Sequence, residues 1–410
     1  MKLIDDLKAL NREQRATFIA SALGWTLDAF DFFLMVFVVK AVAKDFHAAK
    51  EDVLWAITLT LMFRPLGALF FGRLADRFGR RPILMINVLS FSFLELASAF
   101  APSLTIFLIL RALFGFAMGG EWGIGSSLVM ESIPAQSRGT VSGILQEGYA
   151  FGYLLAAIVY GLFFNLVGWR GMFVVGVLPA ALVFYIRMSV KESPVWEQHH
   201  RGAPRVDLVP LFRKHWKSFS YVILLMTAFT FFSHGTQDLY PTFLQEKGLP
   251  TGTVSTISIV ANIGAIIGGI TFGFYSQRIG RRRAIIIAAL LALPIIPLWA
   301  FATTPLLLGL GAFLIQIAVQ GAWGVVPAHL NELSPDELRG TFPGFAYQLG
   351  NFVASSNAVI QGWIAARHEG NFGLALAIVA AVAAIAVAMM AALGKEARHV
   401  TFGQPSTSAA

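Results

Sequence analysis

The chain has 410 residues, 56% hydrophobic and only 13% charged, with a net charge of +8 and no cysteine. Soluble domains carry about 25% charged residues, so a water-soluble globular protein is excluded, and without thiols so are disulfides, zinc fingers and cysteine nucleophiles. The excess Lys and Arg fall in short turns between long apolar stretches, a pattern of membrane orientation and not of nucleic-acid binding.

In chain order, Met1 to Ala16 is charged and lacks an apolar core ending in a small-residue cleavage site, so the first span is expected to act as its own insertion signal. Twelve apolar stretches follow, near 17–40, 53–72, 82–101, 104–130, 140–164, 170–189, 218–240, 253–275, 283–302, 305–328, 341–366 and 371–393. Backbone groups in lipid must pair internally, and a barrel would show short alternating segments, so these are expected to be helices. The result is a multi-pass protein of the plasma or inner membrane, with both termini in the cytoplasm.

The first span carries Asp28 and Asp31, three apart and so on one side of a helix. Two neighbouring carboxyls in an apolar setting are not both ionised, which suits a proton carrier; a structural ion pair is the alternative. In the second span Arg64 is followed by Pro65, which loosens the backbone beside it. A guanidinium fork matches a carboxylate, so Arg64 points to a small organic anion, or else to a standing ion pair with Asp28, Asp31 or Glu147. The fourth span holds Arg111 among Gly115, Gly119 and Gly120, where it serves proton coupling or bonds to carbonyls exposed between close helices. Glu121, Gln146, Glu147, Gln316 and Gln320 are further candidates to line a cavity.

The polar stretch from Lys191 to Lys217, with Lys191, Arg201, Arg205, Arg213, Lys214 and Lys217, divides the spans six and six and reads as a linker. Beyond it, Ser233, His234, Thr236, Gln237 and Asp238 cluster near the end of the seventh span. On a helix Thr230, His234 and Asp238 form one stripe, expected to face a bundle or a water-filled cavity. The eleventh span carries Gln348, Asn351, Ser355 and Gln361, the first three on one face. No metal-ligand cluster, nucleophile with a base, or cofactor loop is apparent, and Gly119 to Gly125 lacks the preceding strand of a phosphate loop. An enzyme is therefore not expected, nor any cofactor beyond a proton as coupling ion.

The halves repeat each other. The turn Gly72-Arg-Leu-Ala-Asp-Arg-Phe-Gly-Arg-Arg81 recurs at Gly273 to Arg283, and Glu131-Ser-Ile-Pro-Ala-Gln-Ser-Arg-Gly139 is echoed by Glu332-Leu-Ser-Pro-Asp-Glu-Leu-Arg-Gly340. The pattern of Gly72, Asp76, Arg77, Gly79, Arg80 and Arg81 resembles the signature loop of the major facilitator superfamily, and implies a topological and gating role. The second copy has Gln277 at the acidic position. The run from Ser233 to Thr242 resembles the seventh-span signature of Jen-type monocarboxylate:proton symporters, grouped with sialate:proton symporters, although Thr230 stands where that signature has Asn. Phe63-Arg64-x2-Gly67 and Tyr347-Gln348-x2-Asn351 accompany it.

The resemblance implies an all-α membrane protein of the major facilitator fold, with twelve transmembrane helices in two pseudo-symmetric six-helix halves. The halves are expected at 1–190 and 218–395, the linker at 191–217 and a short tail at 396–410. It implies proton-coupled uptake of a lactate- or pyruvate-like monocarboxylate by a monomer. Arg64, Gln348, Asn351, His234 and Gln237 would bind the anion; Asp28, Asp31, Asp238, His234 and Arg111 would couple the proton. A sialate or aromatic-acid symporter, a proton-coupled drug exporter and a non-transporting solute sensor are the alternatives.

Overall fold

The computed structural model describes residues 3–199, 208–398 and 400–402, and among these every regular element is a helix. Arg201 and Arg205 of the expected linker, and 403–410 of the expected tail, lie outside the described residues. The first part of the chain forms α1 (Leu3–Lys8), α2 (Arg12–Asp45), α3 (Lys50–Phe78), α4 (Arg80–Ala99), α5 (Leu104–Met118), α6 (Glu121–Ser132), α7 (Arg138–Gln146), α8 (Gly148–Val175), α9 (Pro179–Ser189) and α10 (Pro194–His199). The second forms α11 (Leu208–Gln237), α12 (Tyr240–Glu246), α13 (Thr251–Ile279), α14 (Arg281–Phe301), α15 (Pro305–Trp323), α16 (Val326–Leu333), α17 (Phe342–Ala354), α18 (Asn357–Arg367) and α19 (Phe372–Leu393).

Ten stretches are long and apolar enough to cross a bilayer. One of them, 135–189, is 55 residues long and holds two crossings, separated at Gly168, whose φ of 65° breaks α8. The eleventh crossing is not among the ten. It is split into α17 and α18, and Gln348, Asn351, Ser355, Ser356, Asn357 and Gln361 dilute its apolar character. With these two the crossings number twelve. Helix α11 begins at Leu208 instead of 218, so the expected linker is partly helical, as α10 also shows.

Local sequence accounts for several ends. Asn11 and Gln14 form a capping box at α2, with bonds of 2.9 and 3.0 Å. The turns between α3 and α4 and between α13 and α14 each pivot on a glycine, Gly79 at φ 105° and Gly280 at φ 102°, which a side chain would strain. Both turns are then pinned alike. Glu192 accepts the backbone N–H of Arg80 and Arg81 at 2.9 and 3.1 Å, and Glu396 accepts those of Arg281 and Arg282 at 3.1 Å each. The repeat thus extends to an acid just after the sixth and twelfth crossings.

Within the first half α2 packs on α8, α3 on α5, and α4 on α5 and α9; within the second α11 packs on α17, α13 on α15, and α14 on α15 and α19. Between the halves, α7 packs on α13 and α3 on α17, a pair of contacts related by the repeat. Glycine meets glycine where α7 lies on α13 and where α6 lies on α17. A methyl built on Gly123 would lie 2.8 Å from Gly344 Cα, and one on Gly273 2.6 Å from Gly143 Cα. Above them Trp122, Trp323 and Trp25 gather round Tyr347, with ring centroids 4.8, 5.4 and 6.5 Å away. The continuations α8 and α18 make few contacts across the halves. The molecule is therefore closed at the end bearing the signature loops and open at the other, and segments near both termini pack at the closed end.

Candidate functional site

Arg64 sits midway along α3 and is buried, 4% exposed. Its guanidinium stands 3.8 Å from Asp28 Oδ2, 2.6 Å from the Met118 sulfur and 5.2 Å from the centre of the Phe32 ring, while its Nε has no acceptor. Neither oxygen of Asp28 accepts a hydrogen bond from the protein, and neither does either oxygen of Glu121, which lies within electrostatic reach of both Asp28 and Arg64. One cation thus stands between two bare carboxyl groups.

Across from it, His234 Nδ1 lies 3.1 Å from Asp238 Oδ2, and both side chains are partly exposed, at 33% and 44%. Asn351 is within hydrogen-bonding reach of His234 and of Tyr347, and its amide donates to Gln348 Oε1 at 3.1 Å. Tyr149 interacts electrostatically with Arg64, Asp28 and Asp238, and His234 itself interacts with Arg64. Groups of both halves therefore share one region. Arg64 is not open to water there, because Phe32 and Met118 cover it and Asp28 holds it.

Other expected site residues lie elsewhere. Thr230 is fully buried and donates to Met226 O at 2.9 Å, so the stripe of α11 is broken below His234. Gln237 turns to α15, donating to Gln316 Oε1 at 2.8 Å, and does not join His234. Ser355 bonds back to Phe352 O, and Gln361 to Gly235 O, each at 2.7 Å. Gln146 accepts Trp122 Nε1 at 3.2 Å beneath the aromatic cluster.

Arg111 and Asp31 belong to a second buried cluster. Arg111 lies 2.7 Å from Glu95 and donates to Ser98 Oγ at 2.6 Å, with the rings of Phe114 and Phe173 at 4.3 and 4.9 Å. Asp31 is fully buried within reach of Glu95 and Arg111. So Arg111 bonds to an acid of α4, and not primarily to carbonyls bared by glycine. Glu95 escaped the sequence reading, yet it is the single charged residue between Pro82 and Pro102, a signal that could have found it.

The signature loop joins the halves. Asp76 accepts Gly340 N–H at 2.7 Å, Thr341 N–H at 3.1 Å and the Thr341 hydroxyl at 2.6 Å, while Arg80 bridges it to Glu131 at 3.2 and 3.1 Å. In the second copy Arg281 pairs with Glu332 at 2.9 Å, and Gln277 accepts only the Gly139 N–H from the other half, at 3.2 Å. Gly72 packs flat on Thr341, Arg81 donates to Arg187 O at 2.5 Å, and Arg77 lies over Phe78 at 4.6 Å. Arg339 reaches back to Glu131 at 3.6 Å and Arg138 across to Glu332 at 4.0 Å. Among the described residues no group of three His, Asp or Glu could hold a metal.

Twelve crossings in two like halves, closed at one end around buried charges in the middle, are the build of a transporter working by alternating access. The chain belongs to the Major Facilitator Superfamily, whose family model matches residues 19–356. It is 28% identical to the sialic acid transporter NanX of Escherichia coli strain K12, over 94% of this chain and 95% of that one. It is 29% identical to the carboxylic acid transporter protein homolog of Saccharomyces cerevisiae, over 89% of this chain but only 64% of that longer protein. In fold it is similar to the proton:xylose symporter XylE, with a TM-score of 0.80 at 19% identity, covering 95% of this chain and 98% of the other.

Proposed function

We propose that the protein takes up a small monocarboxylate together with a proton, as a Jen-type symporter acting as a monomer, with the closed end and both termini in the cytoplasm. The setting of Arg64 carries this reading. A mid-span guanidinium with an unused donor, flanked by two carboxyl groups that accept no hydrogen bond, is a site ready to exchange one anion for another. One cation and two acids are neutral only when one acid holds a proton. An incoming carboxylate can displace Asp28 cheaply if Asp28 is protonated first, and the occupied site is then neutral enough to rock through the membrane.

On this reading Asn351, Gln348 and His234 hold the far end of the substrate, and Asp238 sets the charge of His234. The names of the two relatives support a carboxylate: one is a sialic acid transporter and the other a carboxylic acid transporter homolog. A larger acid, sialate or aromatic, is favoured by the first of these and by the rings of Phe33, Tyr149 and Tyr153, packed at centroid separations of 5.2 and 4.9 Å.

The test is uptake and counterflow of labelled lactate, sialate and benzoate in proteoliposomes under an imposed pH gradient. Lactate is expected to accumulate, and Arg64→Ala and Asp238→Asn to abolish accumulation in a folded protein. Retained uptake in either variant removes that residue from the scheme.

A further inference from the structure

We infer that the segment after the last crossing is a strap that locks the loop end shut, with the ring of Phe402 held between one arginine of each half. Arg138 of α7 lies 3.6 Å from the ring centroid, and Arg339, between α16 and α17, lies 4.0 Å from it. Two guanidiniums that close to one centroid cannot share a face, so the ring is sandwiched. The backbone takes part too, since Arg138 Nη1 donates to Val400 O at 2.8 Å. Phe402 is 8% exposed and both arginines are buried, so the contact is made out of water.

The strap is fastened first to one half and then to the other. Glu396 accepts the backbone N–H groups of Arg281 and Arg282, and Arg398 donates to Gln277 O at 3.2 Å and to Arg278 O, which ties this part to the second half. Beyond it the chain reaches the first half, where the Phe402 ring joins an apolar cluster with Leu10, Val129, Met130, Ile133, Val141 and Leu145. At the matching place in the first half, after Glu192, the chain turns back on its own half instead, Trp196 Nε1 donating to Asp76 O at 2.8 Å.

Arg138 and Arg339 are counterparts in the repeat and like charges within electrostatic reach of each other. Each also leans on an acid across the seam, Arg138 on Glu332 and Arg339 on Glu131, but at 4.0 and 3.6 Å these pairs are loose. An aromatic ring is negative on both faces, so one placed between two cations attracts both and offsets their repulsion. When the halves part, Arg339 and the fastened strap move with the second half and Arg138 with the first. The ring then keeps one cation of two, and Val400 O loses its donor. Closure is thus favoured by a segment beyond the last crossing, whatever the transporter carries.

The experiment uses the full chain in detergent without substrate, with Ser142→Cys, buried between the halves, as the reporter in a protein that has no cysteine of its own. Phe402→Ala removes the ring, and Phe402→Leu fills much of the same space but offers no aromatic face. In both, the reporter is expected to react with a polar maleimide about three- to tenfold faster than beside Phe402, while the protein still melts cooperatively. An unchanged rate in Phe402→Ala overturns the strap. So does full protection in Phe402→Leu, because apolar filling alone would then hold the end shut. Should Phe402→Ala fold poorly, Phe402→Leu decides by itself.

Discussion

Asp6, near the amino terminus, binds within the first half the threonine whose counterpart Asp76 binds across the halves. Thr341 donates its hydroxyl to Asp76 at 2.6 Å, and Thr140, its counterpart in the repeat, donates to Asp6 at 2.6 Å. The second signature loop has lost its acid to Gln277, which keeps one bond to Gly139 N–H. Helix α1 supplies Thr140 with a carboxylate from its own half, so Asp6 does not tie the halves together.

Closure should therefore depend on Asp76 and not on Asp6. Asp76 takes three bonds from the opposite half, whereas the Asp6 carboxylate takes its bond from Thr140 of its own half. The chain has no cysteine, so Ser142→Cys, buried in the seam, is a clean reporter. Asp76→Ala is expected to raise its labelling by an impermeant maleimide from the loop side strongly, and Asp6→Ala to leave it near the unaltered level. Equal labelling in all three proteins would show that Asp76 does not hold the seam.

Bulk on the seam should have a related effect by a different route. Gly123 and Gly344 approach so closely that Gly123→Leu cannot be accommodated without moving α6 from α17. The expected outcome is a protein trapped open at the loop end: Ser142→Cys labelled throughout, and counterflow lost while the protein still melts cooperatively in detergent.

Arg64→Lys keeps the charge but loses the fork. A hydrogen bond to a charged group is worth about 1.5–3 kcal/mol, so KM for a carboxylate should rise about ten- to a hundredfold. Uptake kinetics across a range of lactate concentrations would read this. An unchanged KM would place the anion away from Arg64.

The Arg111–Glu95 pair, 2.7 Å apart and fully buried, predicts an asymmetry in stability. Glu95→Gln alone leaves a guanidinium without its counter-ion, a loss of about 3–5 kcal/mol when a buried pair is broken. Glu95→Gln with Arg111→Gln should recover much of it. Thermal unfolding in detergent tests this, and equal stability of the single and double variants would mean Asp31 already compensates Arg111.

The broad plan was legible in the chain because it depends on composition and local pattern. Apolar stretches must be helices in lipid, basic turns mark one face, and a repeated motif forces two like halves. Even Arg64, Asp28 and His234 stood out, since an ionisable group in an apolar run is conspicuous wherever it points. Partnership was not legible, because it depends on which helix faces which. Gln237 shared a motif with His234 yet turns to Gln316, and Arg111, framed by glycines, turned out to serve Glu95. The sealing of Arg64 beneath Phe32 and Met118, and the crossing of Glu147 to Gly269, likewise arise only when the helices are packed, since burial and charge pairing are set by neighbours far away along the chain.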